Sequence, residues 1–106
     1  MWAVSGKNIA MTEQDYGVSL PITVGGATLG ALDSIKLTIK DKNNGTTVLT
    51  KTYSNITQNT FNLELTEQES ALLKVGSYVY SLDWYQNGSF MCNIIASASF
   101  RVVDKA

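Results

Sequence analysis

The 106-residue sequence contains no histidine and a single cysteine, Cys92. Histidine is the commonest general base and metal ligand, so its absence removes the usual routes to proton transfer and metal chemistry. A Ser or Cys nucleophile would need Lys or a carboxylate as its base. Cys92, beside Met91 and close to Ile94, reads as a buried small hydrophobe whose thiol is silenced by burial. Being alone, it can form no disulfide within the chain, and its only oxidised partner would be another molecule. Two carboxylate pairs have spacings that could serve acid–base chemistry: Glu13 with Asp15 on one face of an extended segment, and Glu67 with Glu69 on a helical turn. Glycosidase chemistry would require one member to be buried with a raised pKa. A helix N-terminus, which favours negative charge anyway, accounts for Glu67 and Glu69.

Three further patterns have chemical readings that fail on inspection. Asp41 to Gly45 (DKNNG) has the look of a calcium loop, but Gly45 falls where an oxygen donor is needed and Thr52 where the bidentate Glu belongs. A hairpin turn explains the same residues. The GGATLGAL stretch from Gly25 to Leu32 lacks the phosphate-loop Lys and reads as a loop at the rim of a sheet. Asn44-Gly-Thr, Asn55-Ile-Thr and Asn87-Gly-Ser match the glycosylation sequon, yet the start of the chain has no charged region followed by a long apolar one, so they read as turn residues. Tyr53, Tyr78, Tyr80, Trp84 and Tyr85 could form a sugar-stacking platform. Parity places Tyr78, Tyr80 and Trp84 with Leu82 on a core face and leaves Tyr85 outward beside Asp83 and Ser81.

The composition describes a single ordered domain, residues 1–106, able to bury a core without metals or disulfides. Hydrophobic residues make up 44% and charged residues only 16%, with a net charge of −1. Such a balance gives no footprint for nucleic acid or an anionic membrane. No run approaches the ~20 apolar residues of a membrane span, and synthesis and folding in the cytoplasm are expected. Val18, Leu20, Ile22 and Val24 share one face of a strand over 16–24, and Pro21, which has no N–H, places that strand at a sheet edge. Residues 7–11, 34–40, 47–53, 61–65, 78–84 and 90–103 read as further strands, with DKNNGT turning between the third and fourth of the seven. Thr66 and Glu69 have capping-box spacing for a short helix filled by Ala71, Leu72 and Leu73 and ended by a left-handed Gly76.

The hairpin around Asn87-Gly88 admits two registers. A two-residue turn would pair Trp84 with Met91 and Leu82 with Asn93, facing Phe90, Cys92, Ile94, Phe100 and Val102 away from the tyrosines. A three-residue loop, Gln86-Asn87-Gly88, pairs Trp84 with Phe90 and Leu82 with Cys92 and turns these residues inward. Because the buried face sets register, the three-residue loop is expected. A short helical crossover followed by a Tyr-rich strand resembles the link between the sheets of an immunoglobulin-like sandwich, with its tyrosine corner. The fold class is therefore an all-β, immunoglobulin-like antiparallel sandwich of about seven strands with one short helical crossover.

LELTEQESALLKVGSYVYSLDWYQNG also resembles the N-terminal domain family of the baseplate upper protein of tailed phages. The family's L-T-x-x-(D/E)-(S/T)-x-x-L segment, G-x-Y-x-Y, acidic residue and NG hairpin fall on Leu65, Thr66, Glu69, Ser70, Leu73, Gly76, Tyr78, Tyr80, Asp83 and Asn87-Gly88. NIAMTEQDYGVSLPITV, LDSIKLTIKDKNNG and the closing SFRVVD resemble its opening, its central strand and its last strand. Gln14-Asp15 stands where the family often has Gly-Asp, and Asp83 lies one residue late. The resemblance implies a non-enzymatic structural module of a phage tail or baseplate, located in the virion, docking to other tail proteins and able to repeat as a homo-oligomer. No cofactor or metal is implied. The interface candidates are Trp2, Pro21, Gly26, Leu29 and Tyr85. The alternative is a carbohydrate- or host-surface-binding sandwich, which would need more exposed aromatics than Tyr85.

Overall fold

A computed structural model describes residues 2–5, 7–13, 19–23, 29, 32–54, 56 and 59–104. In chain order they form β1 (Trp2–Ser5), β2 (Asn8–Thr12), β3 (Ser19–Thr23), β4 (Asp33–Asp41), β5 (Thr47–Ser54), β6 (Thr60–Glu64), α1 (Glu67–Ala71), β7 (Gly76–Gln86) and β8 (Ser89–Val103). Six strands make one sheet in the order β1-β2-β8-β7-β4-β5, and β3 with β6 makes a second. The protein is thus an all-β sandwich with one short helix, as the alternating pattern predicts. It differs from the expectation in having an additional first strand, β1, and one parallel pair, β2 with β8.

Strand parity selects the core. On β4, Ile35, Leu37 and Ile39 are fully buried while Ser34, Lys36 and Thr38 lie on the outer face. Directly opposite them in the ladder stand Trp84, Leu82 and Tyr80 of β7. Phe61 and Leu63 of β6 close over this layer from the second sheet, joined by Phe100 and Val102 of β8 and by Ile9 and Met11 of β2. Each fully buried side chain of this size contributes about 1.5–3 kcal/mol. Pro21 does lie on an edge strand, since among the described residues β3 pairs with β6 alone.

Polar hooks tie the two sheets where the strand ladder does not. Tyr53 of β5 reaches over Phe61, ring centroids 5.0 Å apart. Its hydroxyl donates to the Glu64 carbonyl and accepts from the Glu64 N–H. The Lys51 ammonium donates to that same carbonyl and to the Glu69 carboxylate, 2.9 Å away. Glu69 in turn completes the capping box, accepting from the Thr66 N–H while its own N–H donates to the Thr66 hydroxyl. The tyrosine corner is present: the Tyr78 hydroxyl donates to the Lys74 carbonyl at 2.7 Å, anchoring the crossover to the strand that follows it. Tyr80 likewise donates to the Lys7 carbonyl, fastening the turn before β2 onto β7.

Three local expectations need correction. Helix α1 stops at Ala71 with Leu72 as a right-handed cap, and Gly76 opens β7 instead of terminating the helix. The β7–β8 turn has two residues, not three: Gln86 pairs with Ser89, and Asn87 and Gly88 both have positive φ, 50° and 82°, as a type I′ turn requires. The facing that the longer loop would have provided comes instead from bulges. Tyr85 pairs with Phe90 but Trp84 with Cys92, Asp83 with Asn93 but Leu82 with Ile95, and Tyr80 with Ala98. Each shift inserts an extra residue on β8, and an odd number of insertions flips the strand so that Phe100 meets Tyr78 on the core side. Before those bulges the strand faces differently. Phe90, which precedes them, is consequently exposed, and Cys92, just past the first bulge, is exposed opposite Trp84 at the sheet end instead of lying over Leu82.

Candidate functional site

The hairpin end of the large sheet gathers an apolar surface. Leu32 is 68% exposed, Phe90 53% and Met91 45%. The Asn87 N–H donates to the Leu32 carbonyl at 2.8 Å, which fixes Leu32 beside the turn. Tyr85, outward as parity predicts, is braced edge-on by Phe90, with centroids 5.7 Å apart and planes at 73°. Below it, Asp33 is buried and accepts from the Trp84 indole N–H at 2.9 Å, so the rim under the patch is rigidly pinned. The bulge at Met91 is what aims this residue outward; bulges commonly redirect side chains at sheet margins.

Several of the other chemistry-bearing groups are engaged in holding the fold. Burial pushes the Tyr53 hydroxyl up to about 12, the Glu64 backbone bond opposing and the Glu69 and Glu64 charges adding to it. Burial also raises Tyr78 and Tyr80. For Glu69, burial acts upward but is outweighed by the Lys51 and Thr66 hydrogen bonds, so its carboxyl lies below the usual range. Glu67 and Glu69 thus belong to a helix cap. The Asp41–Thr46 turn closes on itself: Asp41 accepts from the Asn43 N–H, Asn44 from the Thr46 N–H, and Gly45 takes φ of 71°. Among the described residues no three His, Cys, Asp or Glu side chains are grouped to hold a metal ion. No described helix is long and apolar enough to cross a membrane.

No family model, curated protein or solved structure matches this chain. The interface candidates are therefore judged on position alone. Tyr85 lies at the margin of the apolar patch. Pro21 is exposed on β3, opposite Asn62. Trp2 lies in β1, paired with Met11 at the outer edge of the large sheet. Gly26 falls outside the described residues. Leu29 is not a surface residue: it is only 6% exposed, and its N–H donates to the Asn59 side chain at 2.8 Å. It is core, held by an Asn in the left-handed conformation.

Sequence reasoning reached Leu32 only as the end of the Gly25–Leu32 loop, itself a candidate interface, and missed Phe90 and Met91. The signal was available in part, since Asn87-Gly88 is the strongest short hairpin signature. The structure also bears on how partners could attach. The β3 edge is interrupted by Pro21, and the exposed first half of β8 is broken by bulges. On β5, Lys51 points inward and a bulge interrupts the pairing between Ile39 and Lys40. These are the devices by which proteins block strand-to-strand pairing.

Proposed function

We propose that this chain is a structural docking module of a phage tail or baseplate, acting without turnover by fitting its hairpin end into a partner tail protein. The observation that carries this reading is the exposure of Leu32, Phe90 and Met91 at the hairpin end of the large sheet, where Phe90 packs on Tyr85 and Asp33 accepts from the Trp84 indole. Exposed apolar groups clustered on a rigid element favour protein contact, and aromatic and Met side chains are enriched at such contacts. At the β3, β5 and β8 edges, which are blunted against strand addition, side-chain packing is the favoured mode. The resemblance to the baseplate family supplies the kind of partner.

Immunogold electron microscopy of induced particles, with an antibody against this domain, tests the proposal. Gold clustered at the tail tip is expected. A Phe90→Asp, Met91→Lys variant that stays folded should be absent from otherwise purified tails. Well-formed particles that carry no label would overturn the reading, as would full incorporation of the folded variant.

A further inference from the structure

The outer face of the large sheet differs in chemistry from the hairpin patch. The register sets Ser54, Ser34 and Tyr85 in one row across the strands, Thr52, Lys36, Asp83 and Asn93 in the next, and Thr50, Thr38 and Ser81 in the one after. Lys40 and, opposite Ser77, Arg101 lie further along the same face. Hydroxyl and amide side chains thus line a broad strip walled at one end by an aromatic ring.

Two depressions lie in this strip. One of about 260 Å³ is lined by Ser34, Lys36, Thr52, Tyr85 and Gly88. The other, about 150 Å³, is lined by Thr38, Lys40, Val79, Tyr80, Ser81 and Ser97. Their β4 members are four residues apart, so the depressions follow the strand at a spacing of roughly 13 Å. An extended ligand, not a single compact one, fits that layout.

The charge on the strip selects its sign. Lys36, Lys40 and Arg101 make no ion pair within the described residues, while the one carboxylate among them, Asp83, is engaged by the Asn93 amide. The face therefore carries a positive excess on a chain whose net charge is −1. We infer that the outer face of the large sheet binds an extended acidic oligosaccharide. Charge and hydroxyls here take the part that a platform of several exposed aromatics would play for a neutral sugar: Tyr85 offers its ring to one sugar residue, Lys36 and Lys40 meet the carboxylates, and the Ser and Thr hydroxyls exchange hydrogen bonds with the sugar hydroxyls. A ring braced by Phe90 suits this, because an immobilised aromatic loses little freedom on binding. The strip meets the hairpin patch at Tyr85, but Lys36 and Lys40 lie outside that patch, so the Lys36 variant tests this inference separately from docking.

The test is a titration of the ¹⁵N-labelled protein with three probes of matched length: a galacturonic acid hexamer, neutral cellohexaose, and a thymidine hexanucleotide. Shift changes are expected at residues 34, 36, 38, 40, 52 and 85 with the acidic sugar alone, and they should weaken on adding salt. Lys36→Ala should reduce affinity about tenfold with an otherwise unchanged spectrum. Tyr85→Ala should do the same wherever its spectrum shows it to be folded. No binding of the acidic hexamer, or shifts confined to the opposite face, would overturn the proposal. Equal binding of cellohexaose would overturn its acidic part, and equal binding of the hexanucleotide its sugar part.

Discussion

Replacing Tyr53 by Phe keeps the ring on Phe61 and deletes only the hydroxyl that serves both the N–H and the carbonyl of Glu64. Near neutral pH the variant should be less stable by about 0.5–1.5 kcal/mol, the usual net value of a hydrogen bond whose partners can partly rehydrate. The alkaline limb carries more information. Tyr53 is held at about 12 against 10.0 for an ordinary tyrosine, chiefly by burial. A hydroxyl with a raised folded-state value contributes stability that is complete below pH ~10 and is lost as pH rises through ~12, because the unfolded chain ionises first. At full burial that rise would be worth about 2.7 kcal/mol. The side chain is only partly enclosed, and solvent screening reduces the expected loss to about 1 kcal/mol. The assay is equilibrium urea unfolding followed by tryptophan fluorescence at several pH values from 7 to 12. Tyr78 and Tyr80 titrate in both proteins, so the difference between wild type and Tyr53→Phe isolates Tyr53. The wild-type advantage should shrink by about 1 kcal/mol between pH 10 and 12. An advantage that stays constant across that range would refute the claim that this hydroxyl is buried against the edge of β6.

Leu37→Ala, at the fully buried centre of β4, should cost about 2–5 kcal/mol in the same unfolding assay. Thr66→Ala removes the helix cap and should cost about 1 kcal/mol. Glu69 is held below its ordinary value by Lys51 and Thr66 against the opposing effect of burial. Its contribution should therefore be present at neutral pH and disappear as pH falls through the carboxylate range, a loss absent from Glu69→Gln. Cys92 should react fully with a water-soluble thiol reagent in the native protein, without denaturant; protection until unfolding would contradict the bulged register of β8. Gly88→Ala should cost about 1 kcal/mol, since the new side chain must hold φ near 82°.

Parity made most of the fold legible. Ile35, Leu37 and Ile39, or Tyr78, Tyr80 and Leu82, alternate strictly because each strand buries one face, and the capping box needed only Thr66 and Glu69. What alternation cannot express is an inserted residue. The sequence SFMCNIIASASF reads as a continuous period of two in either hairpin register, whereas the chain takes the turn favoured by Asn-Gly and corrects the facing with bulges. A rule that fixed register from the core face alone was bound to lengthen the loop and to bury Cys92. Strand β1 was missed because WAVS is too short to show a period. Leu29 looked exposed because glycines surround it, yet its partner, Asn59, lies 30 residues away. The candidate patch shared this blindness: Tyr85 follows from strand parity, but Phe90 faces outward because the turn has two residues, and Met91 because it is the inserted residue of the first bulge.

The parallel pairing of β2 with β8 has a consequence for biosynthesis. Ile9 finds its neighbour in Phe100, so the first hairpin leaves the ribosome with no sheet to join until nearly the whole domain has been made. The second sheet faces the same delay, because Phe61 and Leu63 pack beneath a layer that is not assembled until β7 and β8 have emerged. Such distant pairing places the domain among slow folders, with times from milliseconds to seconds. Until then Ile9, Met11 and the strands of the small sheet present uncovered apolar faces. A nascent chain that stalls before Phe100 should be a client for chaperones, and release of the last strand should commit the entire sandwich in one step.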